Sequence, residues 1–163
     1  MKELHDMLDQ CLQGATEEDV AILKELLYAI QNKQDQGKDV GFIGSLLQME
    51  RKTDGNSYEI TIPINPMIQN SLGIVHGGVT ATLIDSAMGS LAISLLPEGQ
   101  TSVTTQLNIH YIAPGLGDSL RCVAHCEHKG TKTMVLASTV YRSDGKKIAT
   151  ASGSFFIVDK KAL

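Results

Sequence analysis

No tryptophan occurs among the 163 residues, and phenylalanine and tyrosine make up only 4% of the chain. That scarcity argues against stacking platforms for single-stranded nucleic acid. Positive charge is also short: 14 Lys+Arg stand against 18 Asp+Glu, a net charge of −4. Nothing is left over to neutralise a phosphate backbone, so a nucleic-acid partner is not expected. Three cysteines (Cys11, Cys122, Cys126) are too few, and odd in number, for a disulfide framework. They fit a reducing compartment. The N-terminus, MKELHDMLDQ, mixes acids and bases and does not read as a secretory signal. The least polar stretch, Gly77 to Leu96, contains Asp85 and has no flanking basic cluster. An aspartate at a membrane centre costs about 2.5–3.5 kcal/mol on insertion scales. The stretch therefore reads as a buried helix in a soluble, cytoplasmic protein with no membrane partner.

What is present is an ordinary single-domain length with 42% hydrophobic residues, enough for a real core. Charge divides it unevenly. Residues 1–40 hold four Lys and nine acids, whereas 41–163 hold ten bases and nine acids. The first part predicts two helices. Leu4, Met7, Leu8, Cys11 and Leu12 share a helical face that Gly14 would stop. Thr16-Glu17-Glu18-Asp19 resembles a capping box before Val20, Leu23, Leu27 and Ile30. Residues 32–41 read as a loop. The acidic surplus argues against a helix-turn-helix.

Beyond residue 41 the pattern turns strand-like, near 42–52, 57–64, 101–113, 118–128, 132–142 and 147–158. Turn signals separate several runs, among them Thr53-Asp54-Gly55-Asn56 and Ser143-Asp144-Gly145-Lys146. One apolar helix, about 78–96, lies between the second and third. The expected sum is α+β: an antiparallel sheet against a central helix over 41–163, with an N-terminal helical extension over 1–40. That extension could pack on the sheet, on a subunit interface or over a pocket.

The chemically odd segment runs from Asn70 to Asp85. His76-Gly77-Gly78 stands where the helix begins, and free N–H groups at a helix start attract negative charge. Paired glycines also let a ligand approach the backbone closely. Asp85 is the one charge in the apolar stretch, and a buried carboxylate is costly unless paired, hydrogen-bonded or used. Each feature alone has a structural explanation, as a turn or as a cap. The two at this spacing point to a site.

These residues resemble the hotdog-fold acyl-CoA thioesterases, specifically the PaaI-type and 4-hydroxybenzoyl-CoA thioesterase-like group. The resemblance covers roughly 41–159. It rests on Asn70…Gly73…His76-Gly77-Gly78…Asp85 and, in support, on the strand Thr104 to Pro114 with Asn108. It implies a hotdog fold, with the sheet wrapped around the long helix, and hydrolysis of acyl- or aryl-CoA. The Gly77 amide would polarise the thioester carbonyl. Asn70 and His76 would orient that carbonyl or the helix start. Asp85 would act as nucleophile or general base, and Thr104 would hold the acid or its water. Gly78 and Asn108 would contact substrate. Lys129, Gly130, Lys132 and Arg142 would meet the CoA phosphates around the Gly130-Thr131 turn. No cofactor is implied, because a thioester is already activated and water is the second substrate.

Spacing adds an argument of its own. Eight residues separate Gly77 from Asp85, about 12 Å along a helix at 1.5 Å per residue. An oxyanion donor and an attacking group must both come within about 3 Å of one carbonyl. If both act, they should come from different subunits at a two-fold interface. A homodimer or a dimer of dimers is the expected assembly.

The residues suggest three other readings. Cys122, His125, Cys126 and His128 fall within seven residues. Strand alternation and a rise of about 3.3 Å per residue spread them too far for one metal, and none is expected. A non-catalytic acyl-CoA binding or sensing module on the same fold is the main alternative, although such a binder need not keep Asp85. Asn65-Pro66 resembles only a fragment of a hydratase motif.

Overall fold

Thr16 and Asp19 cap each other. The Thr16 N–H donates to Asp19 Oδ2 at 2.9 Å, and the Asp19 N–H donates back to Thr16 Oγ1 at 3.1 Å. This is the expected capping box, with Asp in the place of Glu. These bonds also hold the Asp19 carboxyl below its ordinary range. The computed structural model describes residues 1–35, 37 and 41–162. They divide into two units, Met1–Gln48 and Met49–Leu163.

The first unit contains α1 (Lys2–Leu12), α2 (Glu17–Asp35) and α3 (Phe42–Leu46). Two expectations are corrected here. Helix α2 runs on to Asp35, into the segment read as loop, whose residues 36 and 38–40 lie outside the described residues. Residues 42–46 are helical, and only Glu50–Thr53 of the first expected strand is extended. A short apolar run such as Phe42-Ile43-Gly44-Ser45-Leu46 satisfies either periodicity, so pattern alone does not decide between them.

The second unit contains β1 (Glu50–Thr53), β2 (Ser57–Pro63), α4 (Gly77–Ser94), β3 (Gln100–Tyr111), β4 (Ser119–Lys129), β5 (Thr133–Arg142) and β6 (Lys147–Asp159). The strands form one antiparallel sheet in the order β1-β2-β4-β5-β6-β3, with α4 packed on one face. This is the expected α+β arrangement. Thr80, Leu83, Ile84, Ala87, Met88, Leu91 and Ala92 form the buried stripe of α4. They recur at helical spacing, so the helix presents one continuous apolar face to the sheet. Ile60, Ile62, Leu120, Met134, Leu136, Val140 and Phe155 meet it, each no more than 1% exposed.

Helix and sheet approach closely at one glycine. A Cβ on Gly153 of β6 would stand 3.0 Å from Met88 Cε and 3.3 Å from the Gln106 carbonyl oxygen. At the β5–β6 hairpin, Gly145 takes φ +82°, the left-handed conformation that the Asp-Gly turn signal anticipated. No helix among the described residues is long and apolar enough to cross a membrane.

Cys122 lies fully buried on β4, facing α4, and burial pushes its thiol up to about 12. Its ordinary value is 9.0, so the unfolded chain ionises first. Between about pH 9 and 12 the folded state therefore loses stability, by about 1.4 kcal/mol per pH unit from this group. Below pH 9 the contribution is intact. Urea midpoints at pH 8 and 10 should fall less steeply for Cys122→Ala than for the wild type; parallel falls would remove this role.

Candidate active site

The loop before α4 is stapled from both sides. The Val75 N–H donates to the Gly115 carbonyl at 3.0 Å, and the His76 N–H donates to the Ile68 carbonyl at 2.9 Å. Asn70 closes the turn that leads there: its Oδ1 accepts from the Leu72 N–H at 2.9 Å and its N–H donates to the Ile74 carbonyl at 2.8 Å. The chain is thus delivered to the helix start along a fixed path.

At that start His76 is the N-cap, and its Nδ1 accepts from the Gly78 N–H at 2.9 Å. An imidazole is an unusual cap, but the chemistry is the ordinary one of an acceptor meeting an orphan amide. Accepting at Nδ1 puts the neutral ring's proton on Nε2. Gly77 occupies the first helical position, where the N–H has no acceptor inside the helix. The His76 carbonyl on the other end of that peptide is held by the Val79 N–H (2.9 Å) and the Thr80 N–H (3.2 Å). The Gly77 N–H therefore points away from the helix.

A cleft of about 360 Å³ opens at this point, lined by Asn70, Gly77, Thr80, Tyr111, Pro114 and Ile148 among others. Tyr111 was not singled out in the sequence. Its hydroxyl donates to the Gly77 carbonyl at 2.8 Å.

Asp85 lies farther along α4, half-buried, and accepts at Oδ1 from Thr104 Oγ1 of β3 at 2.8 Å. The structure thus brings Thr104 and Asp85 together. The two ion pairs among the described residues, Arg121–Glu59 and Arg142–Asp144, leave Asp85 out. Asn70, His76, Gly77 and Gly78 gather at the helix start, about 12 Å from Asp85 at the helical rise. Within one chain the candidate donors and the candidate acid form two separate clusters.

Two expected members lie elsewhere. Asn108 pairs with Ser152, whereas Thr104 pairs with buried Phe155 and Tyr111 with buried Ala149. The register shifts between Thr104 and Gln106. That bulge reverses the alternation, so Asn108 falls on the sheet face away from α4. Arg142 does not flank the Gly130-Thr131 turn. It ends β5, about 30 Å from that turn at 3.3 Å per residue. Its guanidinium pairs with Asp144 in the next turn and holds that carboxyl below its ordinary range. Lys129 and Lys132 do bracket Gly130, whose N–H donates to the Thr133 carbonyl at 2.9 Å. The Lys129 ammonium donates to the Leu95 carbonyl just beyond α4.

Residues 72–149 match the thioesterase superfamily. A Halobacterium salinarum protein bearing an esterase name is 30% identical over 136 residues, covering 77% of this chain and 88% of its own. A Bacillus halodurans protein whose crystal structure contains CoA is 40% identical, with a TM-score of 0.87 and coverage of 94% and 99%. Mouse acyl-coenzyme A thioesterase 13 is 37% identical over 83 residues, 49% of this chain and 58% of the mouse protein. The chain thus spans little more than half the length of that relative. The fold is the hotdog thioesterase fold, and the chain belongs to the thioesterase superfamily.

Replacing the His76 cap should cost about 0.5–2 kcal/mol, the usual range for an N-cap. Urea denaturation of His76→Ala should show that loss and His76→Asn should recover most of it. Equal stabilities for the wild type and the alanine variant would mean that the cap contributes nothing.

Proposed function

We propose that this protein hydrolyses acyl- or aryl-CoA thioesters to the free acid and CoA, at a site completed by two copies of the chain. The observation that carries the reading is the division of the two glycine amides at the start of α4. His76 occupies the Gly78 N–H. The Gly77 N–H has no helical partner and borders the cleft. An unpaired amide at a helix start is suited to charge that develops on a carbonyl oxygen.

In the proposed reaction the thioester oxygen lies against the Gly77 amide of one copy. Asp85 of the other copy, held by Thr104, attacks the carbonyl carbon or draws a proton from water that does so. A C–O bond forms, the C–S bond breaks, and the CoA sulfur leaves as thiolate and takes up a proton; on the nucleophilic route the product is an acyl–Asp85 anhydride, which water then cleaves to the free acid and the Asp85 carboxylate. Asn70 and His76 position the carbonyl and the helix start. Lys129, Gly130 and Lys132 are the candidates for the CoA phosphates. Asn108 and Arg142 have no part in this version. The CoA in the Bacillus halodurans relative supports the substrate class. Two copies are supported by the sheet edges: β1 carries Glu50, Arg51 and Lys52, while β3 bears no acid, lysine or arginine over Gln100–Tyr111. Charge guards an edge against pairing, and β3 has no such guard. A homodimer, alone or doubled, and a cytoplasmic location complete the proposal.

The test is thiol release from a panel of acyl- and aryl-CoAs. Asp85→Asn should lower the rate by about 10²–10⁴-fold, as expected for a lost base or nucleophile. Gly77→Pro removes the amide proton at a first helical position, where proline's fixed φ is tolerated, although its ring also enters the cleft; it should cost at least about 10²–10³-fold. Mixed after unfolding and refolding together, the two variants should regain about a quarter of the wild-type sites, because half the dimers are mixed and each has one intact site. No recovery would place both groups in one chain, an Asp85→Asn rate equal to an active wild type would remove the proposed role of Asp85, and a wild type that releases no thiol would leave a binding module.

A further inference from the structure

The peptide joining Gly77 and Gly78 is gripped at both ends by side chains. Its N–H donates to His76 Nδ1 at 2.9 Å, and its carbonyl accepts from the Tyr111 hydroxyl at 2.8 Å. The ring lies over Gly77 as well: a Cβ built there would meet Tyr111 ring atoms at 3.6 and 3.7 Å. Such bracing matters because two successive glycines are the most pliable residues with which to begin a helix. A helical carbonyl ordinarily has its partner four residues on, so the tyrosine bond is additional to the helix pattern.

Tyr111 is 55% exposed, so burial of its ring does not explain the residue. Its neighbour in the register is Ala149, which leaves room above the sheet. We infer that Tyr111 is a positioning residue: its hydroxyl fixes the Gly77–Gly78 peptide, and with it the direction of the adjoining Gly77 amide, before substrate arrives. A donor that is already aimed costs no reorganisation when the oxyanion forms. The catalytic half of this inference rests on the thioester-hydrolysis reading; the structural half does not.

The test is Tyr111→Phe, which keeps the ring over Gly77 and removes only the hydroxyl. In protein labelled with ¹⁵N-glycine, exchange of the Gly78 amide should quicken by about twofold to tenfold, the span of one net hydrogen bond. Gly89, in the middle of α4, should be unchanged. The kcat for thiol release should fall over a similar range while KM stays within about twofold, the pattern of a contact that strengthens in the transition state. Unchanged Gly78 exchange overturns the inference, whatever happens to the rate. Faster exchange with an unaltered kcat overturns its catalytic half. Faster exchange in a protein that, wild type included, releases no thiol upholds the clamp and sinks the hydrolysis reading instead.

Discussion

A straight helix cannot bring together two groups eight residues apart along its own length, and that constraint governs this molecule. Helix α4 has no freedom to bend around it. Leu83, Ile84, Ala87, Met88, Leu91 and Ala92 are all at 0% exposure against the sheet. A kink would open voids in a core where each lost contact destabilises. The Gly77 amide and the Asp85 carboxylate are therefore held at a fixed separation, one at the helix start and one on its flank. On the proposed reading this rigidity is useful. Each group is a precise half of a site, and a second copy related by two-fold symmetry supplies the other half.

The sheet carries the same asymmetry. Strand β3 shares its ladder bonds with β6 on one side and, among the described residues, has no neighbour on the other. Its side chains are mostly exposed or half-buried along all twelve residues. Yet this unguarded strand is the one that reaches both clusters, through Thr104 to Asp85 and through Tyr111 to Gly77. Whatever pairs with that edge would also set the environment of both. On the proposed reading, assembly and chemistry are coupled through one strand rather than through a separate interface.

Most of the architecture was legible in the sequence because its signals are local. Asp-Gly turns, alternating strands and a long apolar helix each need only their own neighbours to be read. The strand limits agree with the expected ones to within one or two residues from β2 to β6. The helix start and its acid were legible for a different reason. A lone carboxylate in an apolar helix and a glycine pair at its head are chemically costly, and cost is visible in a sequence. What was not legible depends on register. Phe42–Leu46 fits two periodicities, and tertiary packing chooses the helix. Arg142 looked close to Gly130 along the chain, but a full strand length intervenes.

The bulge at Thr105 shows why register matters most. Thr104 and Tyr111 are an odd number of residues apart, so an unbroken strand would turn them to opposite faces; Thr104 and Asn108 would share one. The extra residue reverses this, bringing Tyr111 to the helix side and sending Asn108 away. Tyr111 then meets the Gly77 carbonyl with a polar atom at its tip, where phenylalanine would arrive without one. The sheet defect and the tyrosine are one device: the bulge sets the face, and the ring's length carries the hydroxyl to the glycine carbonyl.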